Sequence, residues 1–279
     1  MQIFEWGVNP WGQEMLVRIS WDLLYLAFWT GIAFILFHIV YAAVWLPKLV
    51  RAKHSTNIDA TVSANLPSKI IRHTAAARFF HWIMAVSMIV LLVTGFFPII
   101  GVEFSWLTLH WVSGLFLTVS IIYHILHATF FLDFWSIWIL PADLQEAWKR
   151  IRNQMGKSSD DIPKHGKYPL DHKLYHLGVT LGGLAVIGTG LIMMLRIETP
   201  LWARNAYFLE DATWGLVYAL HGFSAVLFVT LTLTHIYFAV RPEKLWITKS
   251  MVFGYVERDR YLEHHDPERW VVSEESSKQ

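Results

Sequence analysis

Apolar positions gather into five long runs, 21–46, 79–101, 106–132, 172–195 and 214–240, with charge concentrated between them. Each run is long enough to cross a bilayer as a helix, which takes about 20 residues. The pattern predicts an all-α integral membrane protein of five transmembrane helices. A 1–20 segment precedes the first helix at 21–46, a loop covers 47–78, a helical domain covers 79–240, and a tail runs over 241–279. The loops predict orientation. The 47–78 loop carries Lys48, Arg51, Lys53, Lys69, Arg72 and Arg78 against Asp59, and the 133–171 loop carries Lys149, Arg150, Arg152, Lys157, Lys164 and Lys167. "GVEFSW" between the second and third runs has no Lys or Arg, and 196–213 has only Arg196 and Arg204. The positive-inside bias therefore predicts a multi-pass protein of the inner (cytoplasmic) membrane. Its 1–20 segment would be periplasmic and its 47–78 loop and tail cytoplasmic. The short run "FWSIWIL" (134–140) is expected to lie in the inner interface rather than to span.

Composition sharpens this picture. Of the 279 residues 54% are hydrophobic and 16% charged, against about 25% charged in an ordinary soluble domain. The 15 tryptophans and 10 tyrosines suit aromatic belts at two interfaces of a lipid bilayer. A net charge of +1 gives no basic excess, so nucleic acid is not an expected partner. Cysteine is absent, which excludes thiolate-held iron–sulfur clusters, disulfides and covalent c-type haem. Any metal must rest on histidine, methionine or carboxylate. The opening residues lack the basic-then-apolar order of a signal peptide.

A repeat lies in the last four runs. "HWIMAVSMIVLLVTG" places His81 thirteen residues before Thr94, and "HLGVTLGGLAVIGTG" places His176 thirteen before Thr189. His110 and His124 stand fourteen apart in the third run, as do His221 and His235 in the fifth. This reads as a duplicated helix pair forming a four-helix up-down bundle, with the first helix as an extra. Fourteen helical steps return to nearly the same face, about 21 Å along the axis. With the predicted orientation, His110 and His221 lie toward the outer leaflet. His38, His81, His124, His176 and His235 lie toward the inner one.

Ionisable side chains inside a membrane are costly and point to function. Haem iron takes one ligand above and one below its ring, and facing helices can supply both. Two bis-histidine haems, one per leaflet, would form an electron path across the bilayer. Glycine and threonine at 94–95 and 182–190 would let the flat ring approach the backbone. Zinc would gather three or four ligands in one cluster instead. Two bland alternatives stand beside haem: helix-to-helix hydrogen bonds, and a histidine-lined transporter or proton channel. Depth pairs His110 with His221. For the inner pair, His124 with His235 and His81 with His235 both remain open.

The segments "RFFHW" (78–82), "LLVTGFF" (91–97), "LHWVSG" (109–114), "GKYPLDHKLYH" (166–176), "HGFSAVLFVTLTLTHIYFA" (221–239) and "MVFGYVERDRYLEHHDPERW" (251–270) resemble the cytochrome b, or gamma, subunit of respiratory formate dehydrogenase. Cytochrome b subunits of nickel–iron hydrogenase and thiosulfate reductase are similar too. The resemblance implies two haem b groups, the outer one on His110 and His221 and the inner one on His81 and His235. It also implies catalytic and iron–sulfur partner subunits on the outer (periplasmic) face, and a whole complex that can form a homo-oligomer. Finally, it implies exchange of electrons with quinone, menaquinone or ubiquinone, near the cytoplasmic side. Whether that exchange is quinone reduction, or quinol oxidation feeding an external hydrogenase or other reductase, stays open. The family's quinone pocket uses the position of His235 and the loop matching 167–173. There its Asn-Ala-Gly-Gln falls on Pro169, Leu170, Asp171 and His172, and proline offers no N–H. Lys167, Tyr168, Asp171 and His172 are then candidates on their own chemistry.

His38, His124 and His176 have no counterpart in that haem pattern. The duplication maps the pair His81–His235 onto His176–His124, which makes His124 and His176 candidates for a third haem. Crowding of two macrocycles in one leaflet counts against it. Contacts to haem propionates, proton relay to quinone or helix contacts are the competing roles. His127 reads as interfacial, and His54, His165, His264 and His265 as solvent-exposed.

Overall fold

The computed structural model describes residues 2–44, 66–156 and 164–272. Most of the expected 47–78 loop, with His54, lies outside the described residues. Among the described residues, five helices are long and apolar enough to cross a membrane: α1 (Asp22–Val44), α2 (Ala75–Phe96), α3 (Trp106–Phe131), α5 (Leu170–Met194) and α6 (Asp211–Val240). Their ends differ from the hydropathy runs by a few residues, because polar groups that cap a helix are invisible to hydropathy. The Thr74 hydroxyl accepts the Ala77 N–H at 3.2 Å, which starts α2 ahead of its apolar run. Asp211 in the first turn of α6 favours the positive end of that helix.

Two regions carry structure on which hydropathy is silent. The 1–20 segment is a β-hairpin, β1 (Phe4–Val8) paired antiparallel with β2 (Glu14–Ile19). The Asn9 side chain accepts the N–H groups of Trp11 and Gln13, and Gly12 takes φ +81° to close the turn. The tail is also folded. β3 (Lys69–Ile71) pairs with β4 (Tyr255–Glu257), setting Ile70 opposite Val256. α7 (Leu245–Phe253) and α8 (Arg258–His264) flank β4. "FWSIWIL" contributes a single 3-10 turn, Phe134–Ile137, ahead of an unanticipated helix α4 (Pro141–Gln154). Pro141 opens α4 where its missing N–H is harmless, and Asp143 accepts the Leu140 N–H at 2.8 Å.

The chain divides into two compact units. The first comprises described residues of 1–44, 81–123 and 179–237. Here the hairpin seats on α6, where a Cβ at Gly215 would overlap the Leu16 carbonyl, so only glycine permits that approach. Ile19 is fully buried with Leu24, Ala219 and Val226. Helix α1 lies on α6 in the same way. Gly31 faces Thr230 and Leu233, and Thr230 donates to the Ala27 carbonyl at 2.8 Å. Small polar residues, Ser87, Thr94, Ser120, Thr189 and Ser224, share the interior with large apolar ones such as Leu117, Trp214 and Phe228. Large apolar side chains such as Phe37, Phe116 and Val119 face outward, as lipid-facing positions of a membrane bundle do.

The second unit comprises described residues of 45–80, 124–178 and 238–279. Its apolar core joins Ile70, Val256, Tyr261 and Leu262, with Trp246 and Trp270 against it. Arg72 is 3% exposed at the centre of the polar contacts.

Candidate functional site

Within the first unit, the helices bring four histidines together as two pairs. His110 of α3 and His221 of α6 have ring centres 6.3 Å apart. His81 of α2 and His235 of α6 stand at 6.4 Å. An iron held by two imidazole nitrogens at roughly 2 Å each sets the ring centres roughly 6.3 Å apart. A head-on hydrogen bond between two rings would draw them to about 5 Å. Both separations therefore have room for a metal between the rings. Among the described residues, no three His, Cys, Asp or Glu side chains converge on one point. The histidines come two by two.

The threonines of the repeat decide which nitrogen faces inward. Thr94 Oγ1 lies 2.6 Å from the Val90 carbonyl and 2.8 Å from His110 Nδ1. A hydroxyl has one proton. Given to the carbonyl, it leaves Thr94 to accept from His110 Nδ1–H, and the Nε2 lone pair stays free. Thr189 repeats the arrangement, with 2.6 Å to the Ala185 carbonyl and 2.9 Å to His221 Nδ1. A metal-binding imidazole typically has this form, one nitrogen anchored and the other open. Gly95 and Gly190 complete it, since a Cβ there would sit 3.5 and 3.4 Å from Cε1 of His110 and His221. The thirteen-residue offset signalled these threonines in the sequence. Their task as imidazole anchors needed the fold to show it.

The remaining bundle histidines fall elsewhere. His38 of α1 bonds the Tyr237 hydroxyl at 3.1 Å in the first unit. In the second unit His124 of α3 and His176 of α5 stand 6.5 Å apart, with Phe80 stacked on His124 and Trp138 edge-on to His176. His127 stacks on Phe131.

The candidates around 167–173 are split between two settings in the second unit. Tyr168 faces the Arg72 guanidinium, and the Lys167 ammonium lies over Tyr168 and Trp270. Asp171 instead lines a cavity of about 230 Å³ with Asp143, Glu146, Ala147, Arg150, His165 and Leu170. At its edge Asp143 forms a buried ion pair with Lys173 at 2.8 Å. The backbone N–H of His172 bonds the Pro169 carbonyl at the start of α5. Burial, and then Arg150, hold the His165 imidazole at about 4, with Asp171 and Glu146 opposing.

His265, expected at the solvent surface, is buried at 4% exposure. The tail folds back so that Arg72 donates to His265 Nε2 at 3.2 Å, and His265 Nδ1 donates to the Gly166 carbonyl at 2.7 Å. Burial and the neighbouring guanidinium hold this imidazole at about 4. His165, also expected in solvent, is half-buried and bridges to His265 through the backbone. His265 escaped sequence reasoning because the groups it bonds, Arg72 and the Gly166 carbonyl, lie about a hundred or more positions away. His264 remains exposed, stacked on Trp246.

Residues 72–254 match the family model described as prokaryotic cytochrome b561. The chain is also 26% identical over 230 residues to the formate dehydrogenase cytochrome b556 subunit of Haemophilus influenzae, covering 76% of this chain and 86% of that protein. The family match takes in helices α2 to α6 and every paired histidine. With five apolar helices and imidazole pairs spaced for an iron, the chain belongs to the prokaryotic cytochrome b561 family of integral membrane, haem b electron-transport proteins.

Proposed function

We infer that this chain is the membrane-anchoring, dihaem cytochrome b subunit of a formate dehydrogenase-like respiratory complex. His110 and His221 hold the outer haem, and His81 and His235 the inner one. The observation that carries this reading is the pairing of imidazoles at 6.3 and 6.4 Å, with Thr94 and Thr189 orienting the outer pair. When bound, each haem supplies a one-electron couple. The chain's own residues position that couple. Thr94 and Thr189 hold Nδ1–H so that Nε2 is the ligand atom, and the apolar helices exclude water from the rings.

The subunit connects catalytic and iron–sulfur subunits on the outer face with a quinone site near the cytoplasmic side. The relative named above is itself a formate dehydrogenase subunit, and the absence of cysteine means that iron–sulfur clusters must come from another chain. The loop charges support an inner-membrane topology with the N-terminus outside and the C-terminus in the cytoplasm. Lys167, Tyr168, Asp171 and His172 of the second unit are the candidate quinone residues on their own chemistry, and His235 is the candidate that the family resemblance adds. Asp171 lines a polar cavity with Glu146 and His165 that is large enough to admit water.

The test is haem content and spectrum of the purified full chain. A reducible Soret band that loses one component in His110→Ala or His221→Ala, and another in His81→Ala or His235→Ala, is expected. A colourless, well-folded preparation would overturn the reading in favour of a histidine-lined channel or transporter.

A further inference from the structure

We propose a third haem b site in this chain, ligated by His124 and His176. Three observations converge on it. The first is spacing. The two rings stand 6.5 Å apart, against 6.3 and 6.4 Å in the pairs assigned to the other haems. All three separations exceed a direct imidazole–imidazole hydrogen bond and match two ligands of one iron.

The second is the duplication. His176 occupies in its helix the place that His81 occupies in the earlier one, each thirteen residues before a Thr-Gly pair. His124 follows His110 by fourteen residues, as His235 follows His221. Exchanging the two halves of the repeat maps His110–His221 onto itself and His81–His235 onto His176–His124. The structure realises both members of that exchange at nearly the same ring separation.

The third is the absence of a competing partner. Nδ1 of His124 and Nδ1 of His176 are both buried, and neither has a hydrogen-bond partner among the described residues. Two imidazoles retained to tie helices together would use those atoms. Phe80, stacked at 4.3 Å on the face of His124, and Trp138, edge-on to His176 at 5.9 Å, orient the rings through apolar contact while leaving ring edges available. Two rings that face one another at 6.5 Å without a bond between them leave space for a metal-centred macrocycle that takes one nitrogen of each as ligand. With no cysteine in the chain, that macrocycle is held without a thioether link.

The inference rests on the haem reading of the other two pairs, and the experiment separates the two claims. Haem b per full-length chain is measured by pyridine haemochrome on the detergent-purified protein, together with a potentiometric titration of its visible spectrum. Three haems per chain are expected, with one lost in His124→Ala, one in His176→Ala and one in His81→Ala. The double substitution His81→Ala/His124→Ala should retain a single haem. The haems that remain, and an unchanged size-exclusion profile, report that each variant is folded. His176→Met keeps a ligand and should retain three haems, with one midpoint potential raised and the others unmoved, because methionine ligation favours the reduced iron. Two haems in the wild-type chain, with His124→Ala silent, would overturn the third site and leave the dihaem reading intact. Two haems of which one depends on His124 and none on His81 would also overturn it, by moving the inner haem to His124 and His176. No haem in the wild type would overturn both claims.

Discussion

The His110–His221 pair and the His124–His176 pair have almost the same ring spacing, yet their surroundings differ. Around the first pair, two threonine hydroxyls take the Nδ1 protons and two glycines clear the ring edges. Around the second, neither buried Nδ1 atom has a partner among the described residues, and Phe80 and Trp138 pack on the rings. Ring spacing is therefore a property of the helices, while imidazole anchoring is a property of individual neighbours. A duplication can copy the spacing and still leave the anchoring to diverge.

Removing a ligand breaks the comparison outright. His221→Ala should abolish the outer haem entirely, read as loss of one component from the reduced-minus-oxidised spectrum. Full haem content in that variant would refute the role of His221. A smaller change converts the anchored pair into the unanchored kind. Thr94→Val and Thr189→Val keep the side-chain shape and remove the acceptor, and loss of such an outer partner costs about 10- to 100-fold in metal affinity. The expected result is haem that is retained at first and exchanges faster to an apo-haem acceptor, with the other sites unaffected.

The second unit supplies a pH test that should leave the anchored pair untouched. His265 has its imidazole at about 4 rather than the ordinary 6.5, so the folded tail holds it neutral while the unfolded chain binds a proton in that window. Stability of the tail clamp is then fully present above about pH 6.5 and falls as pH drops toward 4. Hydrogen exchange over residues 245–270 should quicken across that range before any change in the haem spectrum. The smallest effect is expected at His38, whose bond to the Tyr237 hydroxyl is half-buried. His38→Phe should cost about 1 kcal/mol of stability and no haem. Loss of a haem there would mean that α1 contributes to a site.

Much of the fold was legible in the chain. Five apolar runs became five helices because hydropathy reports what a bilayer demands of a helix over many residues at once. The repeat offsets singled out the residues that the fold brings together as pairs. The hairpin at 4–19 was not legible. Its strands carry too few residues for a clear period, and its seat depends on Gly215 and Gly222 meeting Leu16 and Ile19 across two hundred positions. The same holds for His265, whose burial depends on Arg72 and Gly166.

What the sequence determined by itself is the membrane character, the number of spanning helices and the short list of histidines on inward faces, since these follow from local composition and helical period. Depth already paired His110 with His221, and the tertiary structure chose the partners of the inner histidines. His81 meets His235, and His124 meets His176, although spacing alone permitted His124 with His235 equally well. Periodicity places a side chain on a face and at a depth. The rotation and neighbour of each helix are set by close contacts such as Gly182 against Phe228 and Gly183 against Ile121, and those long-range contacts choose the partner.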